Sequence, residues 1–87
     1  MAGRNIRYDP ACDVAAELLG GYQAIDESLF IYLEALDRNP EAFPKVETDW
    51  GSVRYIRTKG FGDTAELLWY FILEVNGDVL ITHVENY

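Results

Sequence analysis

Cysteine and histidine are almost absent from this chain of 87 residues, which contains one of each, Cys12 and His83. A lone thiol cannot form an internal disulfide, and these two side chains fall short of the ligand set that a structural zinc site needs. The glycine pair Gly60-x-Gly62 is too short a motif to cradle a phosphate. The sequence therefore predicts neither a metal site nor a bound cofactor.

Basic side chains are also scarce, since 7 Lys and Arg stand against 15 Asp and Glu and the formal net charge is -8. The electrostatic field of a chain with this net charge repels phosphate backbones. Nucleic acid could therefore bind only at a local patch of basic side chains. The candidate patch is the predicted strand with Arg54, Arg57 and Lys59. Strand alternation puts Arg57 and Lys59 on one side and Arg54 on the other, so the three do not form one patch. We therefore do not expect nucleic-acid binding, except through this local strand.

Long hydrophobic runs are missing as well. No apolar stretch approaches the roughly 18 to 20 residues that span a bilayer, and the N-terminus lacks the apolar region of a signal peptide. We therefore expect no membrane partner and a cytoplasmic location.

The hydrophobic fraction of 49% and the aromatic fraction of 14% are typical of a folded protein. At this length the chain is predicted to be one domain over residues 1–87.

The most regular feature that is present is a β-hairpin, in which two apolar runs, 66–75 and 79–85, flank Asn76-Gly77. Asn-Gly accepts the positive φ angles of a two-residue type I′ turn, which would place Val75 opposite Asp78. Alternation along the strands then assigns each side chain to one of two faces. The predicted core face holds Trp69, Phe71, Leu73, Val75, Leu80, Thr82 and Val84. The second, mixed face holds Tyr70, Ile72, Glu74, Val79, Ile81, His83 and Glu85.

Two helices are predicted before the hairpin. Asp9-Pro10 is a helix start, because Asp accepts hydrogen bonds from free N–H groups and Pro suits the first helical position, so the first helix covers residues 10–19. The second helix covers residues 22–38 and is ended by Asn39-Pro40. Its apolar residues recur every three or four positions, at Tyr22, Ile25, Leu29, Leu33 and Leu36, with Phe30 and Ile31 widening the stripe.

The remaining segments are predicted strands. Residues 5–8 form a short first strand, and residues 46–59 form a longer one that bends near Gly51. The resulting order is β-α-α-β-β-β. We therefore predict an α+β two-layer fold in which a mainly antiparallel sheet is covered on one face by two helices.

RNA cleavage is one activity that the mixed face would suit. It requires a base for the 2′-hydroxyl, an acid for the leaving oxygen and cations for the developing charge. His83 is the candidate acid or base, and Arg54 and Arg57 are the candidate cations. The alternative is structural, with a hydrogen-bonded imidazole and arginines on a solvated strand face. Which arginine shares the face of His83 depends on a register that the sequence leaves open.

Protein binding is the other activity. A contiguous apolar area on a small domain usually marks an interaction site, although loops or chain termini are the alternative cover. The residues predicted to contact a target or partner are Lys59, Tyr70, Ile72, Ile81 and Tyr87.

Four segments carry a family resemblance. They are Leu33-Glu34-Ala35-Leu36-Asp37-Arg38-Asn39-Pro40, Arg54-Tyr55-Ile56-Arg57, Leu67-Leu68-Trp69-Tyr70-Phe71-Ile72 and Val79-Leu80-Ile81-Thr82-His83-Val84. In this order they resemble the RelE/ParE superfamily of bacterial toxins, which belong to toxin–antitoxin modules. The resemblance implies a small sheet packed under two helices, an open sheet face as the working surface and a cognate antitoxin that wraps the toxin. It also implies either messenger-RNA cleavage on the ribosome or inhibition of gyrase.

The acidic charge favours binding over cleavage. We therefore expect a RelE/ParE-like toxin component that binds a protein target or partner through the open sheet face. The alternatives are a ribosome-dependent mRNA endonuclease of the RelE type and a non-toxic domain that forms a homodimer on the same fold.

Overall fold

A computed structural model of the chain describes residues 5–49, 51–58 and 66–87. The strands in these ranges are β1 Ile6–Tyr8, β2 Lys45–Thr48, β3 Gly51–Thr58, β4 Leu67–Leu73 and β5 Val79–Asn86. The helices are α1 Pro10–Leu18, α2 Tyr22–Phe30 and α3 Leu33–Arg38, and a short 3-10 helix follows at Pro40–Ala42. Among these helices, none is long and apolar enough to cross a membrane.

The strands form one mixed five-stranded sheet in the order β1-β5-β4-β3-β2. β1 runs parallel to β5, and the other neighbouring pairs are antiparallel. The predicted α+β class and the mainly antiparallel sheet are therefore confirmed. The helices pack on one face of this sheet, because their buried side chains share a single core cluster with those of β3, β4 and β5.

The predicted strand over residues 46–59 is two strands, not one bent strand. Thr48 pairs with Gly51 at the end of an antiparallel β2–β3 hairpin, and the Thr48 hydroxyl donates to the Gly51 carbonyl at 2.7 Å. Gly51 has a φ of 114°, a backbone conformation that side chains with a Cβ rarely adopt. Gly51, where the sequence predicted a bend, therefore lies at the end of a hairpin that reverses the chain. The sheet has β2 as an additional edge strand.

The predicted second helix is likewise divided. α2 ends at Phe30 and α3 begins at Leu33, with Ile31 and Tyr32 in the turn between them. The break lets the ring of Tyr32 pack edge-on against Phe43, with 6.4 Å between ring centroids. Phe30 and Ile31, which the periodicity placed beside the core stripe, are instead 69% and 63% exposed.

The first helix begins where the sequence predicts. The Asp9 carboxylate accepts a hydrogen bond from the backbone N–H of Ala11 at 2.8 Å, and Pro10 occupies the first helical position. Upstream of it, the backbone N–H of Asn5 donates to the Asp78 carboxylate at 3.0 Å. This hydrogen bond lowers the pKa of Asp78 and ties the start of β1 to the hairpin turn.

The core lies between the helices and the inner face of the sheet. Its helical members are Cys12, Ala15, Ala16, Ile25, Leu29 and Leu36. Its strand members are Ile56, Leu67, Trp69, Phe71, Val79, Ile81 and Val84. Cys12 is fully buried, and burial raises the pKa of its thiol. The large rings of Trp69 and Phe71, both fully buried, form the centre of this core.

The β4–β5 hairpin has a different turn from the predicted one. Leu73 pairs with Val79, and the N–H of Gly77 donates to the Glu74 carbonyl at 2.9 Å. Gly77 alone among the turn residues takes a positive φ, of 92°, while the Asn76 side chain accepts from the N–H of Asp78. The loop is therefore one residue longer than a type I′ turn, as in hairpins that close with a glycine bulge.

A bulge then restores the predicted pairing further along the hairpin. The register shifts between Tyr70 and Phe71, so that Phe71 pairs with Ile81 and Tyr70 pairs with His83, with Thr82 as the extra residue. Between the turn and the bulge, each β5 side chain therefore lies on the face opposite to the predicted one. The predicted placement of Ile81 on the open face is therefore wrong: Ile81 is 1% exposed and belongs to the core, as does Val79.

Candidate functional site

The face of the sheet that the helices leave uncovered is called the open face below. Its central side chains follow from the β3–β4 and β4–β5 registers and from alternation along each strand. They are Val53, Tyr55 and Arg57 of β3, Leu68, Tyr70 and Ile72 of β4, and His83 and Glu85 of β5. The face therefore combines aromatic, aliphatic and charged groups across three adjacent strands.

An aromatic row crosses the middle of the open face. Tyr55 pairs with Tyr70, and Tyr70 pairs with His83. The rings of Tyr70 and His83 lie 5.8 Å apart between centroids, with 32° between their planes. All three side chains are only partly buried. The predicted opposition of Tyr70 and His83 is confirmed, because the bulge at Thr82 corrects the register before it reaches them.

Glu85 holds two members of this row through one carboxylate. Its Oε2 accepts a hydrogen bond from the Tyr70 hydroxyl at 3.0 Å, and its Oε1 lies 3.0 Å from Nε2 of His83. Partial burial, together with this carboxylate, raises the pKa of Tyr70, so its phenol stays protonated and donates. Sequence reasoning did not single out Glu85 as a site residue. The available signal was its position two residues after His83, on the same face of one strand.

The guanidinium of Arg57, at the end of the open face, contacts one carboxylate and one aromatic ring. Its Nη2 lies 3.0 Å from Oε2 of Glu66, and its guanidinium carbon lies 3.8 Å above the centroid of the Tyr87 ring. The hydrogen bond that Arg57 donates to Glu66 raises the pKa of Arg57. The Tyr87 N–H also donates to the Glu66 carbonyl at 3.0 Å, which closes the cluster. The guanidinium is therefore neutralised by a carboxylate and covered on one face by an aromatic ring.

Arg54 lies on the opposite, helical side of the sheet. Its Nη1 donates to the carbonyls of Phe43 at 2.7 Å and Glu41 at 3.1 Å, in the segment that leads into β2. The structure therefore separates Arg54 from His83, and the role it supports is structural. The sequence left open which candidate arginine shares the face of His83, and the strand registers place Arg57 there and Arg54 on the other side.

Replacing Arg54 by alanine should therefore lower the free energy of unfolding by about 1.5 kcal/mol, the usual contribution of a hydrogen bond that involves a charged group, because the hydrogen bond to the Phe43 carbonyl is part-buried. Urea denaturation followed by circular dichroism measures this loss. The matched control is R38A, because Arg38 is 75% exposed and its partner Glu34 is equally accessible; such surface pairs contribute about 0 to 1 kcal/mol. Equal losses in both variants would contradict the structural role of Arg54.

A concavity of about 470 Å³ lies beside the aromatic row. Its lining residues are Asp9, Ala11, Ser52, Val53, Ile72, Thr82 and His83. Val53 is 5% exposed yet lies outside the core cluster, so its burial comes from this side of the sheet. Ile72 and Val53 give the concavity an apolar floor of a size that receives small ligands or side chains of a partner.

The other predicted site residues are placed as follows. Tyr87 is 63% exposed at the rim beside Arg57, and Lys59 lies outside the described residues. Over residues 5–49, 51–58 and 66–87, no three His, Cys, Asp or Glu side chains come close enough to hold a metal ion. The chemistry available on the open face is thus that of phenol donors, one imidazole, carboxylates and an engaged guanidinium.

No protein-family model, curated protein or solved structure matches the chain.

Proposed function

We propose that this chain is a RelE/ParE-like toxin component of a toxin–antitoxin module, acting in the cytoplasm by binding a protein through its open face. The bound protein is a cellular target, and a cognate antitoxin competes for or covers the same surface. The coarse architecture supports this proposal, because a sheet packed under helices on one side leaves the other side available, as the resemblance implies.

The aromatic row is the observation that carries the proposal. Tyr55, Tyr70 and His83 lie side by side across three strands and remain partly accessible next to an apolar concavity. Tyrosine is enriched in protein interfaces because it combines a large apolar ring with a polar tip. Contiguous accessible area of this composition on a small domain is typical of a binding surface.

The charges on the open face favour a protein ligand over RNA. Arg57 is paired with Glu66, and Glu85 places another carboxylate beside His83. A phosphate bound at His83 would lie close to the Glu85 carboxylate, which is 3.0 Å from the imidazole, and Arg54 faces the other side of the sheet. Among the described residues, the cations that phosphoryl chemistry requires are therefore engaged or distant. The nuclease remains the second candidate, and it rests on the imidazole of His83.

Inducible expression in a bacterial host tests the proposal, with H83Q and R57Q as the informative variants. Glutamine keeps a side chain that forms hydrogen bonds, but it can neither act as a general acid or base near neutral pH nor carry positive charge. We expect the native chain to arrest growth and both variants to retain the arrest. A nuclease dependent on His83 would lose about 10²- to 10⁴-fold in rate in H83Q, since that is the usual contribution of general acid–base catalysis.

Mapping of messenger-RNA 5′ ends in the same cultures distinguishes the candidates. Arrest without new cleavage sites agrees with inhibition by binding. New cleavage sites that disappear in H83Q would replace the binding proposal with the nuclease, and normal growth with the native chain would contradict the toxin assignment altogether.

A further inference from the structure

β2 forms one edge of the sheet, and β3 is its hydrogen-bonded neighbour in the described order. Its residues Lys45, Val46 and Glu47 are all exposed. An exposed edge presents unpaired backbone groups and is a template for another strand.

The direction of the backbone groups on β2 follows from its pairing with β3. The N–H of Tyr55 donates to the carbonyl of Pro44 at 3.1 Å, and Val46 lies opposite Val53 in the same ladder. In an antiparallel ladder, backbone groups of successive residues point alternately towards and away from the neighbour. The N–H and C=O groups of Lys45 and Glu47 therefore point outwards, away from β3.

The side chains of this edge are complementary to their own copy. When two β2 strands run antiparallel about a two-fold axis at Val46, Lys45 of one copy lies opposite Glu47 of the other, twice. These are the residues whose backbone groups point outwards, so the strands form hydrogen bonds where the opposite charges meet. Opposite charges directly across a strand pair are stabilising, and like charges are destabilising. The Ser52 hydroxyl, which donates to Glu47, holds that carboxylate on the helical side of the sheet.

The charge distribution also favours a second copy of this chain as the partner of β2. The whole chain has a formal net charge of -8, so two copies repel each other over most approaches. The segment Lys45–Thr48 carries one lysine and one glutamate and is locally neutral. Two copies therefore meet here with less repulsion than the net charge of the chain implies, and with attraction in one antiparallel register.

We propose that a second copy of this chain pairs with β2 in an antiparallel arrangement centred on Val46, which joins the two sheets into one. The two-fold axis then lies perpendicular to the joined sheet, so both open faces point to the same side. The pairing uses the edge of the sheet and leaves the open faces free. It does not depend on the toxin assignment.

Sedimentation equilibrium of the full chain tests this pairing, with K45E, E47K and the double variant K45E/E47K. The native chain should dimerise reversibly. Each single reversal places like charges opposite each other twice and should weaken dimerisation about tenfold. The double variant restores opposite charges in every pair and should recover the native affinity. An equimolar mixture of K45E and E47K should form a mixed dimer, because each then supplies the charge that the other lacks.

The controls are R38E and E34K, which change the net charge by the same amounts in an exposed pair on α3. They should leave dimerisation unchanged. A second variant, E47P, removes an outward N–H while sparing the hydrogen bonds to β3, and it should also weaken dimerisation. A monomeric native chain would overturn the proposal, and so would an unchanged dimerisation constant in K45E and E47K, since the interface would then lie elsewhere. Dimerisation that is weakened in the single variants but not restored in the double variant would overturn the proposed register.

Discussion

Replacing Phe71 by alanine should lower the free energy of unfolding by about 4 kcal/mol, the typical cost of truncating a fully buried phenylalanine. Phe71 is 0% exposed in the centre of β4, pairs with Ile81 and packs edge-on against Phe43 at 5.9 Å between ring centroids. The variant loses the transfer free energy of the ring and leaves a cavity between sheet and helices. A domain of this length has a total stability on the order of 4 to 13 kcal/mol, so F71A should unfold in far less urea than the native chain.

The chain offers a matched control for this prediction in Phe30. Phe30 is 69% exposed at the end of α2, so F30A removes the same ring from the surface and should cost less than about 0.5 kcal/mol. Urea titrations followed by far-UV circular dichroism give both values. Similar midpoints for F71A and F30A would contradict the position of the core between the helices and the inner face of β4.

Replacing Tyr70 by alanine should have the largest functional effect. Tyr70 lies in the middle of the open face between Tyr55 and His83, and its hydroxyl donates to Glu85 at 3.0 Å. A central tyrosine of a protein interface contributes about 2 kcal/mol or more, which corresponds to about thirtyfold in affinity. Under the proposed function, Y70A should therefore relieve growth arrest and weaken binding to the proposed antitoxin.

The control for Tyr70 is Y70F, which keeps the ring and removes only the hydroxyl that donates to Glu85. It should retain most of the affinity, because the apolar ring supplies most of the contact. Titration calorimetry with the purified partner gives the affinities, and circular dichroism verifies that each variant is folded. Unchanged binding in a folded Y70A would remove the open face as the binding surface.

Local sequence signals predicted much of the fold. The Asp9-Pro10 cap, the apolar runs of the hairpin and the glycine at position 51 each act over a few residues, and each appears in the structure at its expected place. Their consequences were less predictable. Gly51 closes a hairpin where a bend was expected, because the free conformation of a glycine does not by itself determine how far the chain reverses.

Two residues show why the candidate site was only partly predictable. Ile81 was assigned to the open face by counting from a two-residue turn, but the longer loop at Gly77 shifts it into the core. His83 was assigned correctly by the same count because the bulge cancels the shift of the turn. Side-chain alternation has a period of two, so a one-residue change exchanges every side chain between faces.

The partners of each site residue also required the tertiary structure. Arg57 meets Glu66 and Tyr87, which come from the start of β4 and the end of the chain. Glu85 joins His83 and Tyr70 across two strands. These contacts depend on strand register, and register is a property of paired strands.

The sequence by itself determined the α+β class, the acidic surface, the lack of a disulfide and the hairpin that carries Tyr70 and His83, because composition and local periodicity act within one segment at a time. Only the tertiary structure decided that Ile81 is buried, that Arg57 and not Arg54 shares the open face with His83, and that β2 is an edge strand. These outcomes depend on how many residues each turn and bulge contains once strands pair, and hydrogen bonding between distant segments selects that number.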